Sequence, residues 1–166
     1  MVERTGLINK KKFTYEGLFS VKELYEKIDA FKNEHGYTKK EIIGGEFVKK
    51  DGRTMTHRFE LVKPLSEYAT SILHIQMKLF NVRDVIVERE GIKRNLNQGK
   101  IEFITDAYHE ADFEHRWENK PGFFFIRVLF DKYLFKPFTT DYDGIIAKDY
   151  HTFINEIKAH LNLYKY

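Results

Sequence analysis

The spacing of apolar side chains changes along the chain, and each spacing predicts a different element. After an extended opening segment, SVKELYEKIDAFKNEHGY places apolar side chains three and four positions apart. That spacing predicts an amphipathic helix from Val21 to His35. Ser20 and Glu23 match a capping box at its start, and Gly36 can adopt the left-handed conformation that ends a helix. The apolar stripe consists of Val21, Leu24, Tyr25, Ile28 and Phe31.

From residue 41 to residue 118 apolar and polar side chains alternate, which is typical of strands with one buried face. The breaks carry turn chemistry: KDGR and REGI suit tight hairpins, and NQGK suits a slightly longer one. We therefore expect a meander of antiparallel strands, with a bulge or bend at the adjacent glycines Gly44 and Gly45. The inward sets are Met55, His57, Phe59 and Leu61, followed by Ala69, Ser71, Leu73, Ile75, Met77 and Leu79.

The stretch DAYHEADFEHRWE, residues 106–118, contains the residue types of a metal site or an acid/base site if the secondary structure is not considered. It contains two histidines, several carboxylates and the only tryptophan of the chain. As a strand it places the carboxylates on a polar face and the histidines among apolar residues. The strand exceeds the usual length, so we expect a bulge or strong curvature within it. Its inward set is Ile101, Phe103, Thr105, Ala107, His109, Ala111, Phe113, His115 and Trp117.

Two further helices are predicted after this strand. NKPGFFFIRVLFDKYLF has Pro121 where a first helical turn tolerates proline, and its apolar residues surround the axis, so we expect burial on more than one side. DYDGIIAKDYHTFINEIKAHLNLY predicts the longest amphipathic helix of the chain. Its apolar stripe consists of Ile146, Tyr150, Phe153, Ile154, Ile157, Leu161 and Tyr164.

The order of strand, helix, strand meander and long C-terminal helix, closed by KDYHTFINEIKAHLNL, resembles the START-like (SRPBCC) superfamily. The resemblance implies a helix-grip fold, in which a curved antiparallel sheet wraps a long C-terminal helix and leaves an apolar cavity between them. This chain departs from that superfamily in two features. It has one longer helix where the superfamily usually has two short ones, and it has a Phe-rich helix that the superfamily lacks. We therefore predict a single α+β domain over residues 1–166, with one N-terminal helix and an extra Phe-rich helix positioned to fill or cap the cavity.

Composition narrows the possible functions. The 166 residues, 42% of them hydrophobic, suffice for one domain with its own core. The 28 basic and 25 acidic residues are interspersed, which is not the basic surface of a nucleic-acid-binding protein. The lack of cysteine excludes disulfides, cysteine-ligated metal and a thiol nucleophile. We expect a cytoplasmic protein without a transmembrane segment, because neither the opening residues nor FFFIRVLF resembles a signal peptide or a span.

Three histidines on the predicted inward faces raise the question of a metal site. His57, His109 and His115 could hold a divalent ion if the strands bring them together. Because His109 and His115 stand about 20 Å apart along an extended strand, we instead expect interior histidines, with no metal and no other cofactor. HEADFEH is not the zinc motif HExxH, since its second histidine stands at i+6 and the segment is not helical. Its solvated carboxylates are also poor candidates for a catalytic acid or base.

Other motifs are equally weak. IIGGEF lacks the lysine and spacing of a phosphate-binding loop, and Ser20, Ser66 and Ser71 lack the flanking glycines of a nucleophile elbow. KPGFFFIRVLFDKYLFKPF could be an interfacial membrane anchor, but Asp131 lies within it and its basic residues do not gather on one face. The aromatic residues interleaved with lysine could stack on single-stranded nucleic acid, but no RNA-binding motif accompanies them, so we expect no nucleic-acid partner.

We expect a binding module rather than an enzyme. A small apolar or amphipathic ligand would lie between the sheet and the C-terminal helix, with histidines as polar contacts in an apolar pocket. The alternative is a protein-interaction or assembly module with a filled core, in which the Phe-rich segment docks onto a partner or a membrane. A cyclase- or hydrolase-type enzyme, as some START-like proteins are, is the third prediction. The candidate ligand-binding residues are Met55, His57, Phe59, Met77, His109, Phe113, His115 and Trp117.

Overall fold

The computed structural model of the protein describes residues 3–50, 52–66, 69–89, 91–111 and 136–162. In chain order the elements are β1 (Glu3–Phe19), α1 (Val21–Glu34), β2 (Thr38–Lys49), β3 (Gly52–Pro64), β4 (Ala69–Arg89), β5 (Ile92–Ala111) and α2 (Lys136–Asn162). The predicted Phe-rich helix lies outside the described residues. So do Phe113, His115 and Trp117, which the sequence analysis assigned to the last strand.

The five strands form one antiparallel sheet in the spatial order β1-β5-β4-β3-β2. Strands β2 to β5 make the predicted meander, and β1 joins it beside β5. The two tight turns are confirmed, because Lys49 pairs with Gly52 and Arg89 pairs with Ile92. Among the described strands the sheet is open, with β1 and β2 at its edges. The described part of the chain therefore has an α+β architecture.

One face of the sheet is buried, and the alternation in the sequence identifies it. In β5 the inward side chains from Ile101 to His109 are buried, while the side chains between them are only partly buried. The inward set of β4, from Ala69 to Leu79, is buried as well. In β3 three of the four inward residues are buried and His57 is partly exposed. We call this buried surface the inner face.

Helix α1 packs on the inner face and has the predicted ends. The Ser20 hydroxyl accepts a hydrogen bond from the backbone N–H of Glu23 at 3.2 Å, which caps the first turn. The helix ends at Glu34, and Gly36 adopts φ 71°, the left-handed conformation that glycine favours. Leu24, Ile28 and Phe31 are buried in the core beneath the helix.

Helix α2 begins at Lys136, earlier than its apolar pattern indicates, and its predicted stripe is buried from Ile146 to Leu161, while Tyr164 lies outside the described residues. Ile146, Phe153, Ile157 and Leu161 are at most 1% exposed and belong to the same core cluster as α1 and the inner face. The two helices also contact each other. Within the described ranges, no helix combines the length and the apolar composition needed to cross a bilayer.

The motif NQGK is not a turn, contrary to the sequence prediction. Residues 97–100 lie inside β5, which runs unbroken from Ile92 to Ala111. Opposite them β4 bulges at Asn81 and Val82, and a Cβ on Gly99 would stand 2.9 Å from the Phe80 carbonyl oxygen. Glycine at position 99 therefore permits a close backbone approach rather than a chain reversal.

Two other predicted irregularities can be compared with the structure, the second of them only over residues 101–111 of the stretch 101–118. Strand β2 is irregular at Ile42, two residues before Gly44, because Glu41 pairs with Phe59 and Ile43 with Arg58. Residues 101–111 of β5 pair regularly with β4, whereas the β1 partner shifts register between Gly6 and Lys11. In both places the extra residue belongs to an edge strand, where fewer ladder hydrogen bonds are lost.

Candidate functional site

A row of polar residues crosses the inner face at one end of the sheet. Lys63 of β3 pairs with Ser71 of β4, and Ser71 pairs with His109 of β5. In each strand the inward positions before this row are apolar, with Leu61, Leu73 and Ala107 all buried in the core. Directly opposed side chains of neighbouring strands lie close together. Lys63, Ser71 and His109 therefore form one polar row beneath α2, although they belong to three different strands.

Ser71 and Lys63 belong to a hydrogen-bonded cluster that also includes Tyr37 and Asp149. Tyr37 follows α1 and donates its phenol proton to Asp149 Oδ2 of α2 at 2.9 Å. The Ser71 hydroxyl lies 3.2 Å from the same phenol oxygen. Because the only phenol proton goes to Asp149, Ser71 must be the donor to Tyr37. The Lys63 ammonium group completes the cluster with a 3.1 Å hydrogen bond to Asp149 Oδ2.

The polar cluster of Tyr37, Lys63, Ser71 and Asp149 is internally paired, and all its members except the partly exposed Lys63 are buried. Ser71 is fully buried, Asp149 is 7% exposed, and Lys63 supplies the opposite charge. The Lys63 ammonium group also lies 5.2 Å from the centre of the Tyr37 ring. Burial raises the pKa of the Tyr37 phenol above its ordinary value, so this group remains a neutral donor near pH 7.

His109 and Asp143 form a second polar pair beside the cluster. His109 Nδ1 and Asp143 Oδ1 are 3.3 Å apart, and the His109 side chain is almost fully buried. The two atoms are not aligned as a hydrogen bond, and neither has another hydrogen-bond partner in the part of the chain that the structure describes. A buried polar atom without a partner is costly, and such atoms are frequent where a ligand or water completes the site.

A third polar contact, between Thr105 and Tyr150, joins the inner face to α2. The two hydroxyl oxygens are 2.9 Å apart, and Thr105 donates its proton to the backbone carbonyl of Lys11. Tyr150 must therefore donate to Thr105. Both hydroxyl protons of this contact have acceptors within the chain, so a variant of this contact can serve as a control for variants of the other polar residues beneath α2.

The structure separates the described candidate residues into two groups. Met55, Phe59 and Met77 are buried in the apolar core, and His57 pairs with Met77 across β3 and β4. His109 lies in the polar row, opposite Ser71. Six residues of β4 separate Met77 from Ser71, which is about 20 Å along a strand. The structure thus brings His57 beside the three apolar candidates and leaves His109 apart from them.

His57 has its own surroundings at the β2 edge of the inner face. Its ring meets the Tyr25 ring edge-on, with 5.4 Å between the ring centres. Burial lowers the pKa of His57 and nearby Glu41 opposes that shift, with burial the larger effect. Among the described residues, no three histidine, aspartate or glutamate side chains come close enough to share a metal ion.

A shallow surface cavity of about 370 Å³ lies elsewhere, at the β4 bulge. Gly17, Asn81 and Gly99 contribute to its wall, and Arg83 and Lys100 lie at its rim; no residue of α2 lines it. It is therefore separate from the interface between the sheet and the C-terminal helix, where the sequence predicted a ligand.

Tyr37, Lys63 and Asp149 were not identified from the sequence as site residues. The sequence does indicate that Asp149 is unusual, because it places a charged residue on the apolar stripe of α2, three residues after Ile146 and four before Phe153. Lys63 also continued the inward alternation of β3 as its first charged member. Tyr37 carried no such signal, since its position depends on how α1 and β2 meet.

The described elements are compatible with a helix-grip fold, because an antiparallel meander and a C-terminal helix enclose one core. The resemblance noted in the sequence concerns element order and the closing helix alone. Comparisons with protein-family models, with curated proteins and with solved structures find no match, so membership of the START-like superfamily stays a prediction.

Proposed function

We propose that the chain binds a small amphipathic ligand between the inner face and α2. The observation that carries this proposal is the polar row on the inner face, in which Ser71 and His109 are buried and Lys63 is partly exposed. Ligand sites typically combine apolar walls with a few convergent polar groups. The ligand's polar group would lie at this row, and its apolar part would extend toward the core.

The charges of the row favour a neutral polar group on the ligand. Asp149 already balances the Lys63 ammonium group at 3.1 Å, so a ligand carboxylate would compete with Asp149 for one cation. A hydroxyl or amide instead both donates and accepts, which suits His109 Nδ1 and Asp143 Oδ1, since neither has a hydrogen-bond partner among the described residues. Neutral alcohols and amides with an apolar body are therefore the class of ligand that we propose.

The helix-grip assignment is part of the same proposal. It is supported by the order of the described elements and by the packing of α2 against β1 and β5. In that fold a curved sheet holds its ligand against the C-terminal helix, which agrees with the position proposed here. The polar row then marks the end of the interface that recognises the ligand.

The second candidate is an assembly module with a filled core. It is favoured by the burial of the candidate wall residues, since Met55, Phe59 and Met77 are at most 8% exposed. Side chains packed as tightly as in ordinary protein interiors leave no space for a ligand. The two functions therefore differ in one measurable property, which is whether a small molecule binds at saturation.

The experiment compares an alcohol, an amide and a carboxylate that share one apolar chain. Native mass spectrometry first tests for a copurified small molecule, and calorimetry then measures affinity for the three compounds. We expect the alcohol or amide to bind with micromolar affinity, equivalent to about 8 kcal/mol, and the carboxylate to bind more weakly.

Variants of the His109–Asp143 pair locate the binding site. His109→Phe and Asp143→Ala each remove one of the two groups proposed to contact the ligand and should weaken binding about 10-fold, which corresponds to ~1.4 kcal/mol. Tyr150→Phe removes a hydroxyl from the fully paired contact with Thr105 and should leave the affinity unchanged. If nothing copurifies and none of the three compounds binds, the assembly module replaces the ligand-binding proposal.

A further inference from the structure

Strand β2 is an edge of the sheet and carries an unusual cluster of exposed apolar residues. It pairs only with β3 among the described strands, so no described strand pairs with the backbone groups on its other side. The exposed fractions of its large apolar side chains lie between 43% and 77% and belong to Ile42, Ile43, Phe47 and Val48. Other exposed apolar residues in the described part of the chain are scattered, for example Ile86 and Ile145.

The usual protection of an edge strand is missing over residues 43–48. Proteins commonly protect such edges with lysine, proline, a bulge or a short strand. This run contains no lysine and no proline, Glu46 is its one charged residue, and the bulge precedes it at Ile42. The run therefore has the backbone and the side chains of a strand that pairs with another strand.

Nothing in the described part of the chain accounts for a glycine at position 45. Its φ lies outside the left-handed region, and a Cβ built on it would meet no described atom within 4 Å. A methyl group would therefore fit at this position among the described residues. Glycine within a strand often marks a place where another backbone approaches closely, which suggests that the neighbour of Gly45 is a second molecule.

We propose that β2 pairs antiparallel with β2 of a second copy, around a two-fold axis at Gly45. This register places Ile43 opposite Phe47 twice, and both residues lie on the outer face, which is the side of Arg58 and Thr54. It also places Ile42 opposite Val48. All four exposed apolar residues of one strand thus meet those of the other, and the interface is self-complementary, as a two-fold dimer requires.

The charges of β2 favour this register over its neighbours. With the axis at Gly45, no glutamate of one copy stands opposite a glutamate of the other. An axis at Gly44 would place Ile42 opposite Glu46, and an axis at Glu46 would oppose two glutamates directly. Like charges in direct opposition destabilise strand pairing. The proposed dimer does not depend on what binds beneath α2.

Sedimentation equilibrium with matched variants tests the dimer. We expect the wild-type chain to dimerise reversibly between about 1 and 100 μM, and Phe47→Lys to raise the dissociation constant more than about 10-fold. The control is Ile86→Lys on the β4–β5 hairpin, because Ile86 is 72% exposed and Phe47 is 71% exposed. Circular dichroism checks that both variants remain folded.

Cysteine crosslinking tests the register, since the natural chain contains no cysteine. An oxidised mixture of Ile43→Cys and Phe47→Cys should give the mixed disulfide, because the register opposes these positions. Each variant alone should crosslink poorly, since two equivalent positions are then about 13 Å apart along the strands.

Two results would overturn the proposal. A wild-type chain that stays monomeric throughout this range would show that β2 does not pair with itself, and another strand would then be its partner. A dimer that Phe47→Lys leaves intact, or that forms the single-variant disulfides as readily as the mixed one, would exclude this interface or this register.

Discussion

His57 shows how one side chain on a buried face can remain sensitive to pH. Its ring packs edge-on against Tyr25, and burial lowers the pKa of the imidazole below its ordinary value. Nearby Glu41 raises this pKa and Lys39 lowers it further, so the charged neighbours partly offset each other. The folded protein therefore binds a proton at this site less readily than the unfolded chain does.

The free energy of unfolding should consequently fall as the pH is lowered through the histidine range. Below about pH 6.5 the unfolded chain protonates His57 while the folded protein does not, which favours unfolding. The contribution of neutral His57 is complete above that pH and is lost as the pH falls toward the lower folded pKa. Urea denaturation between pH 5 and pH 7 should show a shallower pH dependence for His57→Gln than for the wild type.

The control for this prediction is His151→Gln, because His151 is exposed on α2. We expect this variant to retain the wild-type pH dependence. His160 should leave a residual slope in the His57 variant, since burial lowers its pKa too. An unchanged slope in His57→Gln would mean that His57 is not responsible for the effect.

At the scale of elements, close backbone contacts explain a glycine that the sequence pattern misassigned. The bulge of β4 brings the Phe80 carbonyl oxygen to 2.9 Å and the Val82 Cα to 3.2 Å from a Cβ placed on Gly99. Both neighbours are backbone atoms, which cannot move aside as a flexible side chain can. Gly144 of α2 is the opposite case, because a Cβ there would meet nothing within 4 Å.

The same substitution should therefore have opposite effects at these two glycines. Gly99→Ala should destabilise the protein by about 1–3 kcal/mol, because the methyl group overpacks the bulge. Gly144→Ala should stabilise it by roughly 0.5–1 kcal/mol, because glycine is a poor helix residue. Chemical denaturation measures both changes. Equal effects at the two sites would contradict the role assigned to the bulge.

Local patterns predicted the elements well, because burial on one face leaves a period in the sequence. The inward set of β4, the stripe of α1 and its Ser20 cap all follow from neighbouring residues alone. The polar cluster does not, since Lys63 meets Ser71 only through the strand register and meets Asp149 only through the placement of α2. The turn assigned to NQGK failed because Gly99 is required by a bulge in another strand.

At the scale of the whole molecule, strands β4 and β5 extend beyond the rest of the sheet. The last β3 partner of β4 is Val82, and the first β1 partner of β5 is Asn97. Beyond them, residues 85–89 and 92–96 pair only with each other among the described strands. A two-stranded hairpin is marginally stable by itself. This extension should open locally while the five-stranded part stays folded.

Hydrogen exchange followed by NMR tests that expectation. Amides of residues 86–88 should exchange on the order of 100-fold faster than amides of residues 73–79, which lie between two neighbouring strands. The Ile86→Lys variant should not change the slower group. Equal protection of both groups would mean that something covers the extension.

The position of β1 beside β5 also has a consequence for synthesis on the ribosome. The first strand of the chain cannot pair until β5 emerges, on the order of 80 residues after Phe19, which takes roughly 4–16 s at ordinary elongation rates. During that delay β2, β3 and β4 can already form a meander, whereas β1 waits as an extended nascent segment. Strand β1 is therefore the strand of the described sheet that waits longest for its partner, which is complete only when translation has passed Ala111.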